Sequence, residues 1–357
     1  MKIRFLVLPF VLLALLSCNP APTATADQTA DETAPGALAT DQPRLDYAIA
    51  IHGGAGVIPK DMEEERKQEY FDALEEALRA GQEQLESGAA AMDVVENVVR
   101  ILEDVPLFNA GKGSVFTAEG KNELDAAIMD GSNRDCGAVS GLTSVKNPIS
   151  LARMVMEKSP HVFFQGDGAE VFADEMGVER VEQEYYYTEH RWQSLQNALE
   201  RQKAAGGDGV DFSVEKGTGD EKYGTVGCVV LDKNGNLAAG TSTGGMTAKR
   251  FGRVGDVPII GAGTYADNKT AAISGTGKGE QFIRHTVARS IAALMEYQGK
   301  SLNEAAEAVV HGDLDKGDGG IIAVSRTGEI ALVFNSPGMF RGAADSTGRF
   351  DVAIWED

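Results

Sequence analysis

Hydrophobic and polar positions divide this chain into three stretches. Met1-Lys2-Ile3-Arg4 leads into the apolar run Phe5 to Leu16, the charged start and short apolar core of a secretory signal, too short to span a bilayer as a mature helix. From Pro20 to Pro43 the residues are mainly Ala, Thr, Pro, Asp and Gln. With almost no large apolar side chain, such a segment cannot offset its ordering entropy and predicts a flexible tether. Patterned sequence starts at Leu45, so the folded body is expected to begin there.

Within the body, Leu45-Asp46-Tyr47-Ala48-Ile49-Ala50-Ile51-His52 closed by Gly53-Gly54-Ala55-Gly56 predicts a buried strand entering a tight loop. Helical spacing of Tyr70, Leu74, Ala77 and Leu78, and then of Val94, Val95, Val98 and Val99, predicts helices over 63–85 and 90–102. A Gly-rich loop at 108–113 precedes expected strands at 124–129 and 136–140. Helices are expected at 148–158, 170–176 and 189–203. A polar, Gly-rich connection, Gly206 to Tyr223, follows; such a segment is expected to be exposed. Beyond it, strands at 226–231 and 237–242 flank Lys233-Asn234-Gly235-Asn236, a hairpin signal. Further strands are expected at 258–265, 271–274, 320–324 and 330–334, the last two joined by Arg326-Thr327-Gly328, with helices at 280–297 and 302–310. Helices grouped apart from antiparallel hairpins predict two sheets packed between helical layers rather than a doubly wound parallel sheet.

Composition narrows the class. The chain has 357 residues, 43% hydrophobic and 24% charged, enough for a sizeable core in one or two domains. Its formal charge of −21 repels phosphate backbones and argues against a nucleic-acid partner. The histidines (His52, His161, His190, His285, His311) are scattered, with no metal-type spacing. Leu15-Leu16-Ser17-Cys18 resembles a bacterial lipobox, which implies a signal peptide over 1–17, a lipidated Cys18 heading a tether over 18–44, and membrane contact through that anchor alone. An ordinary cleaved signal is the alternative. Asn19 is not the Asp that resembles an inner-membrane retention signal, so the expected location is the periplasmic face of the outer membrane. Cys136 and Cys228 could form a disulfide there, although Cys228 falls in an expected buried strand and suits the role of a small apolar residue.

Chemistry concentrates at Gly224-Thr225. A threonine that becomes an N-terminus carries its own general base, an α-amine of pKa about 7.7–8.0, beside its hydroxyl. Downstream lie three Gly/Thr-dense loops, Thr241-Ser242-Thr243-Gly244-Gly245, Gly252-Arg253-Val254-Gly255-Asp256 and Ser274-Gly275-Thr276-Gly277-Lys278-Gly279-Glu280. Glycines let backbone amides approach a ligand, and hydroxyls polarise a neighbouring oxygen, so such loops suit an oxyanion hole. Arg253 and Asp256 offer opposite charges suited to the carboxylate and amine of an amino-acid-like substrate.

In this order, Tyr223-Gly224-Thr225-Val226-Gly227, Gly240 to Met246, Gly252 to Ala266 and Thr276 to Glu280 closely resemble the plant-type L-asparaginase/isoaspartyl peptidase family of N-terminal nucleophile hydrolases. Ile51-His52-Gly53-Gly54-Ala55-Gly56 and Phe108-Asn109-Ala110-Gly111-Lys112-Gly113 resemble it too. The resemblance implies an α/β (α+β) fold, a four-layer αββα sandwich, made as a precursor that cuts itself between Gly224 and Thr225. An α subunit over 45–224 and a β subunit over 225–357 would assemble as an (αβ)2 heterotetramer. Thr225 would be the nucleophile, Thr243 its hydrogen-bonded partner, Thr276 and Gly277 the oxyanion hole, and Asn109 a supporting residue. Arg253 would hold the substrate α-carboxylate, with Asp256 and the Gly279 carbonyl on its α-amine. No cofactor is implied for catalysis. A structural sodium is, on the backbone carbonyls of Leu102, Glu103, Val105, Phe108, Ala110 and Lys112. The implied reaction hydrolyses L-asparagine or β-aspartyl dipeptides to aspartate through a β-aspartyl ester on Thr225.

Three alternatives stand beside it. Glycosylasparaginase belongs to the same resembling family. Gly240-Thr241-Ser242-Thr243-Gly244 also satisfies the nucleophile-elbow pattern of an α/β-hydrolase, with Ser242 as nucleophile and His285 or His311 as base, although no helical period follows it. A non-catalytic lipoprotein binding an acidic amino acid through Arg253 and Asp256 would need no free Thr225 amine.

Overall fold

The computed structural model describes residues 43–204 and 224–356. The expected signal, Cys18, nearly all of the tether and the whole connection from Gly206 to Tyr223 lie outside the described residues. The larger sheet has eight strands in the spatial order Phe350–Ala353 (β12), Gly338–Asp345 (β11), Ala48–Gly56 (β1), Val226–Leu231 (β5), Leu237–Thr243 (β6), Leu124–Asp130 (β2), Cys136–Leu142 (β3) and Phe163–Gln165 (β4). The smaller has four: Ile330–Phe334 (β10), Gly319–Ser325 (β9), Ala271–Gly277 (β8) and Thr264–Ala266 (β7). Every described pairing is antiparallel except β3 with β4. Helices Glu64–Glu86 (α1), Ala91–Asp104 (α2) and Pro148–Lys158 (α3) pack on the larger sheet, and Val287–Gln298 (α7) and Leu302–Gly312 (α8) on the smaller. The sheets meet through β1, β5 and β6 against β8 and β9, giving the αββα sandwich.

The alternation of strand side chains accounts for these layers. Ile49 and Ile51 on β1, and Val226, Cys228 and Val230 on β5, join the core beneath α1 to α3. Their neighbours Ala48, Ala50, Val229 and Leu231 join the core on the side of the smaller sheet. By the same parity, Thr225 shares the inter-sheet face with Gly227, Val229 and Leu231. Thr243 shares it with Thr241 and Ala239, and Thr276 with Ser274 and Ala272. The pleat alone therefore turns three of the expected site threonines into one gap.

The structure departs from the periodicity in five places, the first being that β1 runs on through Gly53-Gly54-Ala55-Gly56, the expected tight loop. Only the last residues of the strand expected at 258–265 are extended, because Pro258 lacks a donor and the chain folds back on itself, with the Ile259 and Gly263 N–H groups both donating to Asp256 O. The helix expected at 280–297 breaks at Thr286, φ +44°, into Gly279–His285 (α6) and α7. The first N–H groups of α7, from Ala288 and Arg289, donate to Ala262 and Gly261 of that folded-back segment, so tertiary contact supplies the partners that a continuing helix would have. The short edge strand β4, and β11 and β12 on the far edge, were absent from the pattern. β11 is recruited by β1, whose Ile51 lies opposite Gly342. The α4 helix (Gly166–Met176) also starts earlier than its expected 170–176, and α5 (Glu189–Ala204) follows its expected bounds closely. Both described cysteines are free thiols, and Cys228 is buried as a small apolar side chain.

Gly227 marks a close approach of the sheets, since a Cβ there would run into Ser274 Oγ and His52 Nε2. Gly227→Ala is expected to lower stability by about 1–3 kcal/mol, read from the urea midpoint; an unchanged midpoint would contradict this packing account.

Candidate active site

Thr225 precedes β5, and continuing the β5–β6 register sets it opposite Thr243, as Val226 is opposite Ser242. The two hydroxyls meet: Thr225 Oγ1 donates to Thr243 Oγ1 at 3.1 Å, and Thr243 Oγ1 also accepts the Gly245 N–H at 3.0 Å. Thr243 is 3% exposed, whereas Thr225 is only half-buried, which leaves the nucleophile candidate the more accessible of the pair.

The peptide before Thr225 is held tightly. Gly224 has φ +138°, a conformation open to glycine, and a Cβ there would strike the Asn109 backbone. Its carbonyl accepts the Asn109 N–H at 2.8 Å. Asn109 uses its other groups on the neighbouring loop and on its own turn: Nδ2 donates to Gly245 O at 2.7 Å, its backbone O accepts Gly244 N–H at 3.0 Å, and Oδ1 accepts Val115 N–H at 2.9 Å. Asn109 thus joins the residue before the bond expected to break to the loop that carries Thr243. From the other side Gly54 of β1 abuts Gly224 so closely that its own Cβ would clash.

Behind Thr225 lies a residue to which the sequence reading gave no role in this site. The fully buried His52 is 2.9 Å from Thr225 O through Nδ1 and 2.8 Å from Ser274 Oγ through Nε2. A carbonyl can only accept, so Nδ1 carries the proton and Nε2 accepts from Ser274. Ser274 then accepts from Thr241, at 2.8 Å, and Thr241 from Thr264, at 2.7 Å. Burial drives the His52 imidazole down to about 3, against the opposing pull of the Thr225 carbonyl, so the ring is neutral near pH 7. It fixes the Thr225 peptide without adding charge. The only sequence signal was a histidine ending an apolar strand before Gly-Gly, which pairs with residues more than 170 positions away. Thr276 is tied to the same strand, its Oγ1 accepting the Ala55 N–H at 3.2 Å.

Arg253, Asp256 and Gly279 form a second cluster. A Cβ on Gly279 would lie 2.9 Å from both Arg253 Nη2 and Asp256 Oδ1, so the missing side chain leaves these charges side by side. Arg253 does not bond Asp256; its Nε and Nη2 donate to the two oxygens of Glu280, each at 2.9 Å. Burial disfavours the guanidinium charge, but Glu280 outweighs it and holds the pKa above its ordinary value. Asp256 is the strained member. Burial pushes its carboxyl up to about 7, only partly countered by its own backbone N–H and by Arg253, and Oδ2 is buried without a hydrogen-bond partner among the described residues. An orphaned buried acceptor beside a glycine is fitted to a donor from outside the chain, such as an ammonium group. The two clusters meet at Gly245, where a Cβ would lie 3.6 Å from Arg253 Nη1.

The nucleophile-elbow reading fails on geometry. Ser242 lies within β6, fully buried, on the face opposite to Thr243, and an irregular segment rather than a helix follows the strand. His311 is at the surface beside Glu307. In the loop after α2, the Leu102, Glu103, Val105 and Ala110 carbonyls accept from Val105, Lys112, Phe108 and Gly113 N–H groups at 2.8–3.5 Å. The Glu103 carbonyl crowds Gly111, and the Pro106 and Phe108 carbonyls crowd Gly113, where a Cβ would collide with them. Lys112 turns its ammonium away, 5.7 Å from the Tyr185 ring centre. Among the described residues no group of three His, Cys, Asp or Glu side chains could hold a metal.

Comparison with known proteins gives one consistent result. The pattern of the family described as "Asparaginase" matches residues 45–354. A probable isoaspartyl peptidase/L-asparaginase 2 of Arabidopsis thaliana is 48% identical over 324 residues, covering 87% of this chain and 99% of that protein. The isoaspartyl peptidase of Salmonella typhimurium is 51% identical over 296 residues, 82% of this chain and 93% of its own. That of Escherichia coli is 50% identical, also over 296 residues, with 82% and 91% covered.

The Asp256 carboxyl gives a pH signature. Its folded pKa of about 7 lies above the ordinary 3.8, so between those values the folded chain holds a proton that the unfolded chain has lost, and stability falls as pH rises through that window. Asp256→Asn is expected to be more stable than the parent at pH 8, by on the order of 2 kcal/mol, and no more stable at pH 3.5. Urea midpoints at the two pH values check this, and equal differences at both would refute it.

Proposed function

We propose, from the premise that the chain belongs to the asparaginase family, that it is a self-processing amidohydrolase releasing L-aspartate from L-asparagine or β-aspartyl dipeptides. The observation that carries the reading is the contact between the Thr225 and Thr243 hydroxyls, directly after a glycine whose carbonyl is gripped by Asn109. The relatives' names add the amide class.

Self-cleavage starts with attack of Thr225 Oγ1 on the Gly224 carbonyl carbon. The Asn109 N–H, already on that oxygen at 2.8 Å, receives the developing charge, rather than the downstream oxyanion residues. The Oγ1 proton passes to the peptide nitrogen, the C–N bond breaks, and that nitrogen leaves as the Thr225 amine, forming an ester that water hydrolyses. In hydrolysis the free amine takes the hydroxyl proton, Oγ1 attacks the side-chain amide carbonyl, and Thr276 and Gly277 meet the oxyanion. Ammonia or an amino acid departs with the proton, and water then cleaves the β-aspartyl ester. Arg253 holds the substrate carboxylate through a guanidinium that Glu280 orients, while ionised Asp256 and the Gly279 carbonyl hold its amine.

The proposal extends to the setting. The carbonyl-lined turn cut close by Gly111 and Gly113 fits a hard cation with oxygen ligands. Carbonyls of Leu102, Glu103, Val105, Phe108, Ala110 and Lys112 would hold sodium there, bracing the segment that carries Asn109. A lipid on Cys18, in a segment that resembles a lipobox, would anchor the α subunit at the periplasmic face of the outer membrane, and the processed chains would pair as (αβ)2.

Denaturing electrophoresis of the purified chain is expected to show two bands, the smaller beginning at Thr225 on N-terminal sequencing. Thr225→Ala should stay whole and lose essentially all activity; processing that persists would move the nucleophile elsewhere, and a wild-type chain that never breaks would favour a mere binder. Arg253→Ala should raise KM roughly 30-fold or more while the chain still processes. An unchanged KM would remove Arg253 from the substrate carboxylate.

A further inference from the structure

Lys278 stands between two glycines that the mechanism uses, Gly277 at the oxyanion and Gly279 at the substrate amine, yet its side chain reaches elsewhere. Its ammonium donates to Asp318 Oδ1 at 2.6 Å and its backbone N–H to Asp318 O at 2.7 Å, so one residue grips it twice. The Asp318 side chain is fully buried, while that of Lys278 is 44% exposed. The other carboxylate oxygen accepts the Asp315 N–H at 3.0 Å.

The turn bearing Asp318 is anchored in turn by Asn335. Its Nδ2 donates to Val310 O at 2.8 Å and Asp315 O at 3.0 Å, and its Oδ1 accepts the Gly319 N–H at 3.1 Å. Its backbone exchanges further bonds with Gly317 and Gly319. Gly277 and Gly319 are paired across β8 and β9, and a Cβ on either would lie 2.7 Å from the other's Cα. The oxyanion segment therefore rests directly on the 315–319 turn. Among the described residues, Lys278 is the one charged tie between them.

We propose that the Lys278–Asp318 pair is a positioning clamp that holds Thr276 and Gly277 at the oxyanion. The proposal rests on the acyl-transfer reading above. A buried carboxylate left without its cation is an uncompensated buried charge, and relieving it loosens the turn. Donors aimed at charge that develops only in the transition state lose rate when misplaced, with little effect on ground-state binding. The clamp thus acts on kcat, not KM. It does not act on processing, in which the Asn109 N–H serves the oxyanion.

The test uses the full chain, with β-aspartyl-leucine as substrate, and compares Lys278→Met, Lys278→Arg, Asp318→Asn and the Lys278→Met/Asp318→Asn double variant. Lys278→Met and Asp318→Asn should each lower kcat about tenfold, with KM within about twofold of wild type and normal appearance of the Thr225 N-terminus. Lys278→Arg should recover most of the rate, and the double variant should be no worse than Lys278→Met. If Lys278→Met fails to fold, the double variant, which leaves no unpaired buried charge, decides the matter: a kcat lowered about tenfold at wild-type KM supports the clamp, and a wild-type kcat overturns it. Unchanged kcat with only a lower melting temperature would overturn the clamp, as would a raised KM at full kcat, which would make Lys278 a substrate contact. A processed wild-type chain without activity would instead sink the hydrolase reading on which the clamp depends.

Discussion

The close approach of the two sheets at Gly227 is the constraint on which the rest of this structure depends. Because no side chain stands there, His52 on β1 reaches Ser274 on β8 beneath β5 and holds the Thr225 carbonyl with its other nitrogen. The chain of donors from Thr264 through Thr241 and Ser274 to His52 runs one way only, because it ends on a carbonyl. In a dry interior such a chain has little freedom to reorient, since each broken link would leave a buried polar group unpaired. A bulkier residue at 227 would part the sheets and release the Thr225 peptide together with the threonines that face it.

Charge is handled differently in the second cluster. Arg253 keeps its charge because Glu280 binds it in two places, whereas one Asp256 oxygen has no hydrogen-bond partner among the described residues. Ionising that buried carboxyl is unfavourable and costs the folded protein stability. Rigidity comes from glycines where backbones cross, at Gly54 against Gly224 and Gly277 against Gly319, and from Asn109, which ties the Gly224 carbonyl to the loop after Thr243.

Much of this was legible in the chain. The helices α1, α2, α3, α5 and α8 and the hairpin strands β5, β6, β9 and β10 follow local periodicity and turn chemistry, which act over a few residues. The grouping of Thr225, Thr243, Thr276, Arg253 and Asp256 was visible in their Gly-rich loops and family-like order. What escaped were elements that exist through distant partners. β11 and β12 are strands because β1 offers an edge, and the α6–α7 break follows from the Gly261 and Ala262 carbonyls. Glu280 read as a helix-start carboxylate, and nothing local shows that it faces Arg253.

The sequence by itself determined which side chains could do chemistry and set them in Gly-rich loops, whereas the pleat of β5, β6 and β8 that turns Thr225, Thr243 and Thr276 into one gap came from the structure. Membership in the asparaginase family follows from the same string of residues. Only the tertiary structure decided that His52 is a buried strut beneath Thr225, that Ser242 faces away from the site, and that Asn109 holds the Gly224 carbonyl. Those roles depend on burial and on hydrogen-bond partners more than 100 residues apart, and no local pattern of polarity encodes either.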